Sequence, residues 1–371
     1  MSKVLLMVNS SQSLLNFRYE LVKKIIESGN QLYISSPPGD ALAKVTEMGA
    51  VCFEEKNLSR HGMNLSQELK LLKSYKKLVK EINPDIVFSF TIKPNIYGGM
   101  ACRKYRIPFV PNVTGLGTSI QNGGIKQKIM LFLYKRGLKK SQTVFFQNSS
   151  NKDLFEKLGI VKGNSHLLPG SGVNLDKHYY VSYPDKDDPM IFTFVGRIMR
   201  DKGVAEFTDA AAIIKQKYKH ILFQAVGKCE NEYLAELERL KNIGSVAFLG
   251  YRSDVHDIIS KSHAVVLPSY HEGLANVLLE SASCGRPVVA SDIPGCRETF
   301  EEGVSGFGCK AKNVQSLVEA LEKMILLSNE ERAQMGQKGR ERVEKIFDRN
   351  IVVNAYLDEI KKATNKKENS K

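Results

Sequence analysis

Two carboxylates, Glu272 and Glu280, stand on either side of Gly273 at the end of the apolar run AVVLPS (264–269). The segment LANVLL after the glycine has helical spacing. Glycine opens a helix without steric cost. The first turn then presents backbone N–H groups and the positive end of the helix dipole to an anion. An acid on each side of such a site suits a ligand with phosphates at its centre and hydroxyls at both ends, the layout of a nucleotide sugar. The competing reading makes both glutamates solvated helix charges. Against it stands the strand-like MIFTFVG (190–196), which runs into Arg197, with Lys202 and Gly203 before the next helical pattern. Open α/β sheets bind ligands beyond the carboxyl ends of their strands. There Arg clamps a diphosphate in bidentate fashion and Lys adds a point charge. Each cation alone reads as a surface residue beside a helix. The four residues together fit one ligand.

The elements that must hold them follow from apolar patterning. Strand-like runs at 4–10, 31–36, 50–55, 85–90, 109–114 and 143–148 alternate with helical stretches, and a second series follows at 190–196, 221–227, 246–250, 264–269 and 287–291. Such alternation predicts parallel sheets covered on both faces. A length of 371 residues suits two domains. The fold class expected is α/β, with two facing Rossmann-like doubly wound domains and an interdomain cleft. The first domain is placed at 1–182 and the second at 190–348, joined by the Pro- and Asp-rich stretch 183–189. Residues 349–371 are read as a C-terminal helix, free to pack back on the first domain, and a disordered tail.

Six cysteines are scattered without zinc spacing, and no apolar run reaches transmembrane length. Reduced thiols and a cytoplasmic protein are expected. The net charge of +14 is uneven: residues 1–185 carry 26 Lys and Arg against 13 Asp and Glu, and the remainder carries 28 against 27. The first half therefore faces something anionic.

The segments VGRIMRDKG (195–203), FLGYRSDV (248–255), LPSYHEGLANVLLESASCGRPVVAS (267–291) and the glycine turn at Gly306 resemble the retaining glycosyltransferases of family 4. In the first half SFTIKPNIYG (89–98), NVTGLGTS (112–119) and LLPGSGVN (167–174) resemble the branch that builds bacterial surface polysaccharides such as capsule and O-antigen, often on polyprenyl-diphosphate carriers. The resemblance implies two Rossmann domains in the glycosyltransferase-B arrangement and a nucleotide-diphosphate sugar as donor, by family habit UDP-linked, with an N-acetylhexosamine as the sugar. It implies that Arg197 and Lys202 neutralise the diphosphate. Glu272 and the backbone of Gly273, Leu274, Ala275 and Asn276 hold the sugar hydroxyls and phosphate, and Glu280 takes the ribose. The turn Gly250-Tyr251-Arg252 lies beside the base. No metal-binding DxD is present, so no metal or other cofactor is expected.

Two departures stand out. The first loop reads Asn9-Ser10-Ser11-Gln12 where many relatives have paired glycines, so Ser10 and its neighbours must meet the donor phosphates through hydroxyls or backbone N–H groups. After the fifth strand, Thr114-Gly115-Leu116-Gly117 replaces a common His or Asp. It is either a loop whose glycines let backbone approach the donor or an ordinary connector. No compelling nucleophile is visible, which favours front-face transfer over a covalent double displacement.

On the acceptor side, Arg18, Lys93 and Thr114 are candidates, with Arg18 and Lys93 able to meet a diphosphate. The loop residue His61 has an exposed position as its alternative. Two basic helical stretches, 66–82 and 124–140, read either as solvated faces or as contacts with anionic lipid. For 66–82 the solvated face is favoured; for 124–140, with nine basic and no acidic residues in 101–150, peripheral contact with the inner face of the membrane is favoured. Rival classes are a nucleotide-sugar epimerase on the same fold and a basic nucleic-acid-binding protein. The first lacks acid/base side chains for both faces of a sugar. The second lacks interleaved aromatics and any known motif.

Overall fold

The computed structural model describes residues 1–59, 64–116 and 124–368. The chain forms two compact units, Met1–Ser171 with Arg349–Lys371, and Gly172–Asp348. The stretch 183–189 lies inside the second unit. The chain passes between the units instead at Ser171, within the run Pro169-Gly170-Ser171-Gly172, and again at Asp348.

The first unit holds β1 (Lys3–Met7), β2 (Gln31–Ser36), β3 (Val51–Glu54), β4 (Ile86–Phe90), β5 (Phe109–Val113), β6 (Val144–Phe146) and β7 (Ser165–Leu167). They form one sheet in the order β3-β2-β1-β4-β5-β6-β7, with every pair parallel. The order reverses between β1 and β4, so the loops after these two strands flank the switch point where α/β sheets take ligands. β4 and β5 are buried along their whole length, as expected for strands covered on both faces.

The second unit holds β8 (Ile191–Val195), β9 (Leu222–Val226), β10 (Ala247–Phe248), β11 (Ala264–Leu267), β12 (Val288–Ser291) and β13 (Gly306–Cys309). Their order is β10-β9-β8-β11-β12-β13, again parallel, with the reversal between β8 and β11. Both units are Rossmann-like. The core of the second is built around Phe192, Phe194, Val266, Leu278 and Val289, all at most 1% exposed.

The basic helix Leu65–Ile82 is capped by Asn64, whose side chain accepts from Ser66 N and Gln67 N, and it ends on Asn83 in the left-handed region. It buries Leu71, Tyr75, Leu78, Val79 and Ile82 and leaves its lysines outside. The helix Gly124–Gly137 buries Met130, Tyr134 and Gly137.

Candidate active site

At the switch point of the second unit, the loops after β8 and β11 meet. After Gly196 the chain passes through the single-turn helix Arg200–Lys202 and then Gly203, at φ 71°. A Cβ on Gly203 would lie 2.0 Å from the carbonyl oxygen of Pro268, so only glycine lets this turn press against the end of β11. The carbonyl of Asp201 accepts from Tyr270 N at 2.8 Å and from Ser269 Oγ at 3.1 Å. These bonds fix the two loops together, and the Lys202 ammonium comes to rest 2.5 Å from Glu272 Oε1. The side chains of this pair are 21% and 12% exposed.

Glu272 is held from the other side by the loop after β12. Gly295, at φ 89°, abuts its backbone so closely that a Cβ would lie 2.6 Å from the Glu272 carbonyl oxygen. The Gly295 carbonyl in turn accepts from Ala275 N at 2.7 Å. That bond explains a difference from the expected helix start. The helix is Asn276–Ser283 with Ala275 as its cap, so Gly273 lies two residues ahead of the cap. Leu274 and Ala275 are buried. Asn276 and Glu280, one turn apart, share a face of the helix.

Glu280 is partnered within the unit. Its Oε1 lies 3.9 Å from Nε2 of the buried His178, a residue that no sequence pattern singles out. The His178 carbonyl accepts from Ser283 Oγ at 2.5 Å and Arg340 Nη1 at 3.2 Å, and these contacts pin the histidine beside the helix. His271 is exposed.

Arg197 stands apart from the Lys202–Glu272 pair. Its guanidinium is half exposed, with Nη1 3.3 Å from Glu230 Oε1 in the loop after β9. The turn after β10 carries Gly250 at φ 72°, whose carbonyl accepts from Gly227 N at 2.9 Å. Tyr251 is 74% exposed. Arg252 forks onto Asp254, Nε at 2.8 Å and Nη2 at 2.5 Å, and this bond holds the Asp254 carboxyl down at about 2. The Arg252 guanidinium is thus engaged within its own turn.

In the first unit the segments that follow β1, β4 and β5 carry the remaining candidates, with Arg18 between the helices Gln12–Phe17 and Tyr19–Glu27. The Ser10 carbonyl accepts from Ser13 N at 3.2 Å and from Ser13 Oγ at 2.6 Å. Arg18 is buried, with its guanidinium 4.4 Å from the centre of the Phe90 ring and Nη1 donating to the Phe17 carbonyl. Burial lowers its pKa from the ordinary arginine value. Lys93 pairs with the buried Glu68 at 2.7 Å. Thr114 is half-buried directly after β5. Its neighbour Gly117, like His61, lies outside the described residues.

Sequence patterning also misses Thr91, the residue after β4. It takes φ 73°, an outlier for a β-branched side chain, and its buried hydroxyl finds no hydrogen-bond partner among the described residues. Strain of this kind persists only where surrounding structure enforces it, and it clusters at ligand sites. Thr91 stands at the switch point of the first sheet.

Comparison with known proteins agrees with this architecture. Two family models match in succession, Glycosyl transferase 4-like over residues 3–148 and Glycosyl transferases group 1 over residues 181–342. The chain is 29% identical over 368 residues to the N,N'-diacetylbacillosaminyl-diphospho-undecaprenol alpha-1,3-N-acetylgalactosaminyltransferase of Campylobacter jejuni, covering 94% of this chain and 96% of that one. It is 26% identical over 279 residues to the UDP-Gal:alpha-D-GlcNAc-diphosphoundecaprenol alpha-1,3-galactosyltransferase of Escherichia coli, covering 70% and 71%. Among solved structures, HepE of Anabaena in complex with UDP and glucose superposes with a TM-score of 0.79 at 17% identity, covering 97% of this chain and 99% of that one. With both halves matched in order and both sheets wound alike, the chain is a glycosyltransferase made of a Glycosyl transferase 4-like domain followed by a Glycosyl transferases group 1 domain.

Proposed function

We propose that this glycosyltransferase moves an N-acetylhexosamine, with retention of configuration, from a UDP-linked donor to a saccharide carried on a polyprenyl diphosphate, in the synthesis of a bacterial surface glycan. The observation that carries the reading is the Lys202–Glu272 pair, fixed at the switch point by the Asp201 carbonyl on one side and Gly295 on the other. The names of the Campylobacter and Escherichia relatives, both acting on undecaprenyl-diphosphate saccharides, support the acceptor class.

Transfer builds positive charge on the anomeric carbon and negative charge on the departing diphosphate. Lys202 and Arg197 supply the counter-charge without a metal, and the loop 273–276 turns its backbone to the phosphate. Glu272 grips sugar hydroxyls and Glu280 the ribose. Pre-organised charge of this kind is the largest single contribution in many enzymes. With Glu272 committed to hydroxyl binding and to Lys202, front-face transfer, the leaving phosphate serving as base, is the mechanism favoured. An epimerase needs an acid and a base on opposite sugar faces, which a mutually paired lysine and glutamate do not supply.

No helix among the described residues is long and apolar enough to cross a membrane. A lipid-carried acceptor then requires the enzyme to work peripherally at the bilayer surface, through the basic residues of 124–140. The test is a panel of UDP-, GDP- and ADP-sugars offered with a synthetic polyprenyl-diphosphate saccharide, with and without EDTA. Transfer from a UDP-N-acetylhexosamine, retained in EDTA and giving an axial linkage by NMR coupling, is expected. Inversion, or activity lost in EDTA and restored by magnesium, overturns the reading.

A further inference from the structure

A cavity of about 660 Å³ opens beside the C-terminal end of the helix Gly124–Gly137. Its apolar lining is Phe132, Leu138, Ile160 and Val161, and it is rimmed by Lys135, Arg136, Lys139, Lys140 and Lys162, with no carboxylate in the lining. Among the described residues none of these five cations lies within 4.0 Å of a carboxylate, although many other surface cations of this chain do. A helix C-terminus attracts cations in its own right. That explanation does not reach Lys162, which belongs to the loop 159–164. Nor does the helix end need five: the carbonyl of Arg136 already accepts from Arg103 Nη1.

The outer face of the same helix carries a second feature. Ile125, Ile129 and Phe132 are 79%, 43% and 56% exposed, and they recur at the spacing of one helical stripe. The stripe lies opposite the buried Met130, Tyr134 and Gly137 and leads into the cavity through Phe132, whose ring the Arg136 guanidinium overlies at 5.3 Å. Three adjacent large apolar side chains in water ask for a partner. A nucleic acid would answer the cations and leave the isoleucines unmatched. A lipid answers both.

We infer that this cavity receives the phosphate headgroup of an anionic phospholipid, with Phe132, Ile129 and Ile125 entering the acyl layer beside it. The inference deepens the peripheral-membrane part of the proposed function and rests on it. It turns a diffuse basic surface into a defined site, with Lys139, Lys140 and Lys162 meeting the phosphate and Ile160 and Val161 flooring the cavity under the glycerol and first methylenes. Engagement there would orient the first unit so that this helix lies along the membrane plane.

The experiment is co-sedimentation of the full chain with phosphatidylcholine vesicles, with and without phosphatidylglycerol. Binding only to the anionic vesicles is expected for the wild type. A surface cation contributes about fivefold in partitioning, so Lys139→Glu with Lys162→Glu should weaken binding by at least about 25-fold. Lys73→Glu with Lys80→Glu makes the same charge change on the helix Leu65–Ile82 and should weaken it far less. Phe132→Ser should reduce binding that survives high salt. UDP-induced thermal stabilisation, measured on every variant, reports folding and donor binding independently; its persistence separates failure here from failure of the glycosyltransferase reading. Equal weakening by the two charge-reversal pairs overturns the site. So does binding of farnesyl diphosphate or RNA at this cavity with no response to phosphatidylglycerol.

Discussion

Lys202 and Glu272 hold one another in place more than they stabilise the fold, because a partly buried ion pair loses to desolvation much of what it gains in attraction. What their 2.5 Å contact secures is position. Lys202→Ala is therefore expected to cut kcat at saturating donor by about a hundredfold or more, the cost of losing one pre-organised counter-charge. Glu272→Gln should raise the KM for the donor more than it lowers kcat. Near-normal turnover in Lys202→Ala removes the lysine from the diphosphate. Arg197 permits a sharper test, since it rests on Glu230. Arg197→Ala should fall as far as Lys202→Ala, while Glu230→Gln should leave kcat within a fewfold. A Glu230→Gln defect equal to that of Arg197→Ala would make the pair structural.

At the same scale, His263 gives the second unit a defined acid sensitivity. Its Nδ1 accepts from Ile191 N at 3.2 Å at the start of β8, and Tyr183 Oη donates to its carbonyl at 2.7 Å. Burial, and then the nearby Arg332, push the imidazole from the usual 6.5 down to about 4, against an opposing pull from Asp188 and with a smaller push from Arg286. Between these values the unfolded chain binds a proton that the folded chain refuses. Stability is thus fully present above pH 6.5 and is lost as pH falls toward 4. Thermal unfolding followed across this range should show the loss, and His263→Asn should flatten it. An unchanged slope in the variant assigns the sensitivity to other groups.

At the scale of elements, the apolar runs located eleven of the strands described, most directly the inner ones such as β4 and β5, because a strand buried on both faces must be apolar throughout. Two were not legible. β7 reads Ser-His-Leu and β13 reads Gly-Phe-Gly-Cys, and neither forms a continuous apolar run. The pairing of Lys202 with Glu272 was readable only as two charges that suit one ligand; what joins them is a set of loop-to-loop bonds without sequence periodicity. Gly295 shows the limit most clearly. Nothing in Ile293-Pro294-Gly295 announces that it supports Glu272, yet a methyl group there would meet the Glu272 carbonyl oxygen at 2.6 Å, in a backbone conformation that L-residues resist. Gly295→Ala should lower stability by about 1–3 kcal/mol and reduce turnover by displacing the loop 272–275. Full turnover at an unchanged melting temperature would show that the loop shifts without consequence. Thr91 is the reverse case. Its strained φ invites a glycine that the sequence does not supply, so the strain could not be read from residue type.

At the scale of the whole molecule, the last helix, Arg349–Glu368, is part of the first unit's core. It returns to that unit and places Val352, Val353, Tyr356, Ile360 and Ala363 in a core with Val4, Leu6, Phe88 and Phe145. Tyr356 is fully buried, edge-on to Phe88 and Phe145 at 5.0 Å each, and its hydroxyl accepts from Asn112 Nδ2 at 2.6 Å. Arg349 anchors the start of the helix on Glu20 at 2.6 Å. Burying the four large side chains is worth on the order of 6–12 kcal/mol, comparable with the whole stability of a typical domain. A chain ending at Asp348 should therefore keep a second unit whose β8 and β11 amides exchange slowly, while those of β1 and β4 exchange as an unfolded segment does. Tyr356→Phe in the full chain, which takes an acceptor from the buried Asn112 Nδ2, should cost only about 1–3 kcal/mol. A peptide spanning 349–368, added to the shortened chain, should restore protection in β1 and β4 if packing is the whole contribution of the helix. Slow exchange in those strands without the peptide would mean that the first sheet closes its core by itself, leaving the helix a covering rather than a component.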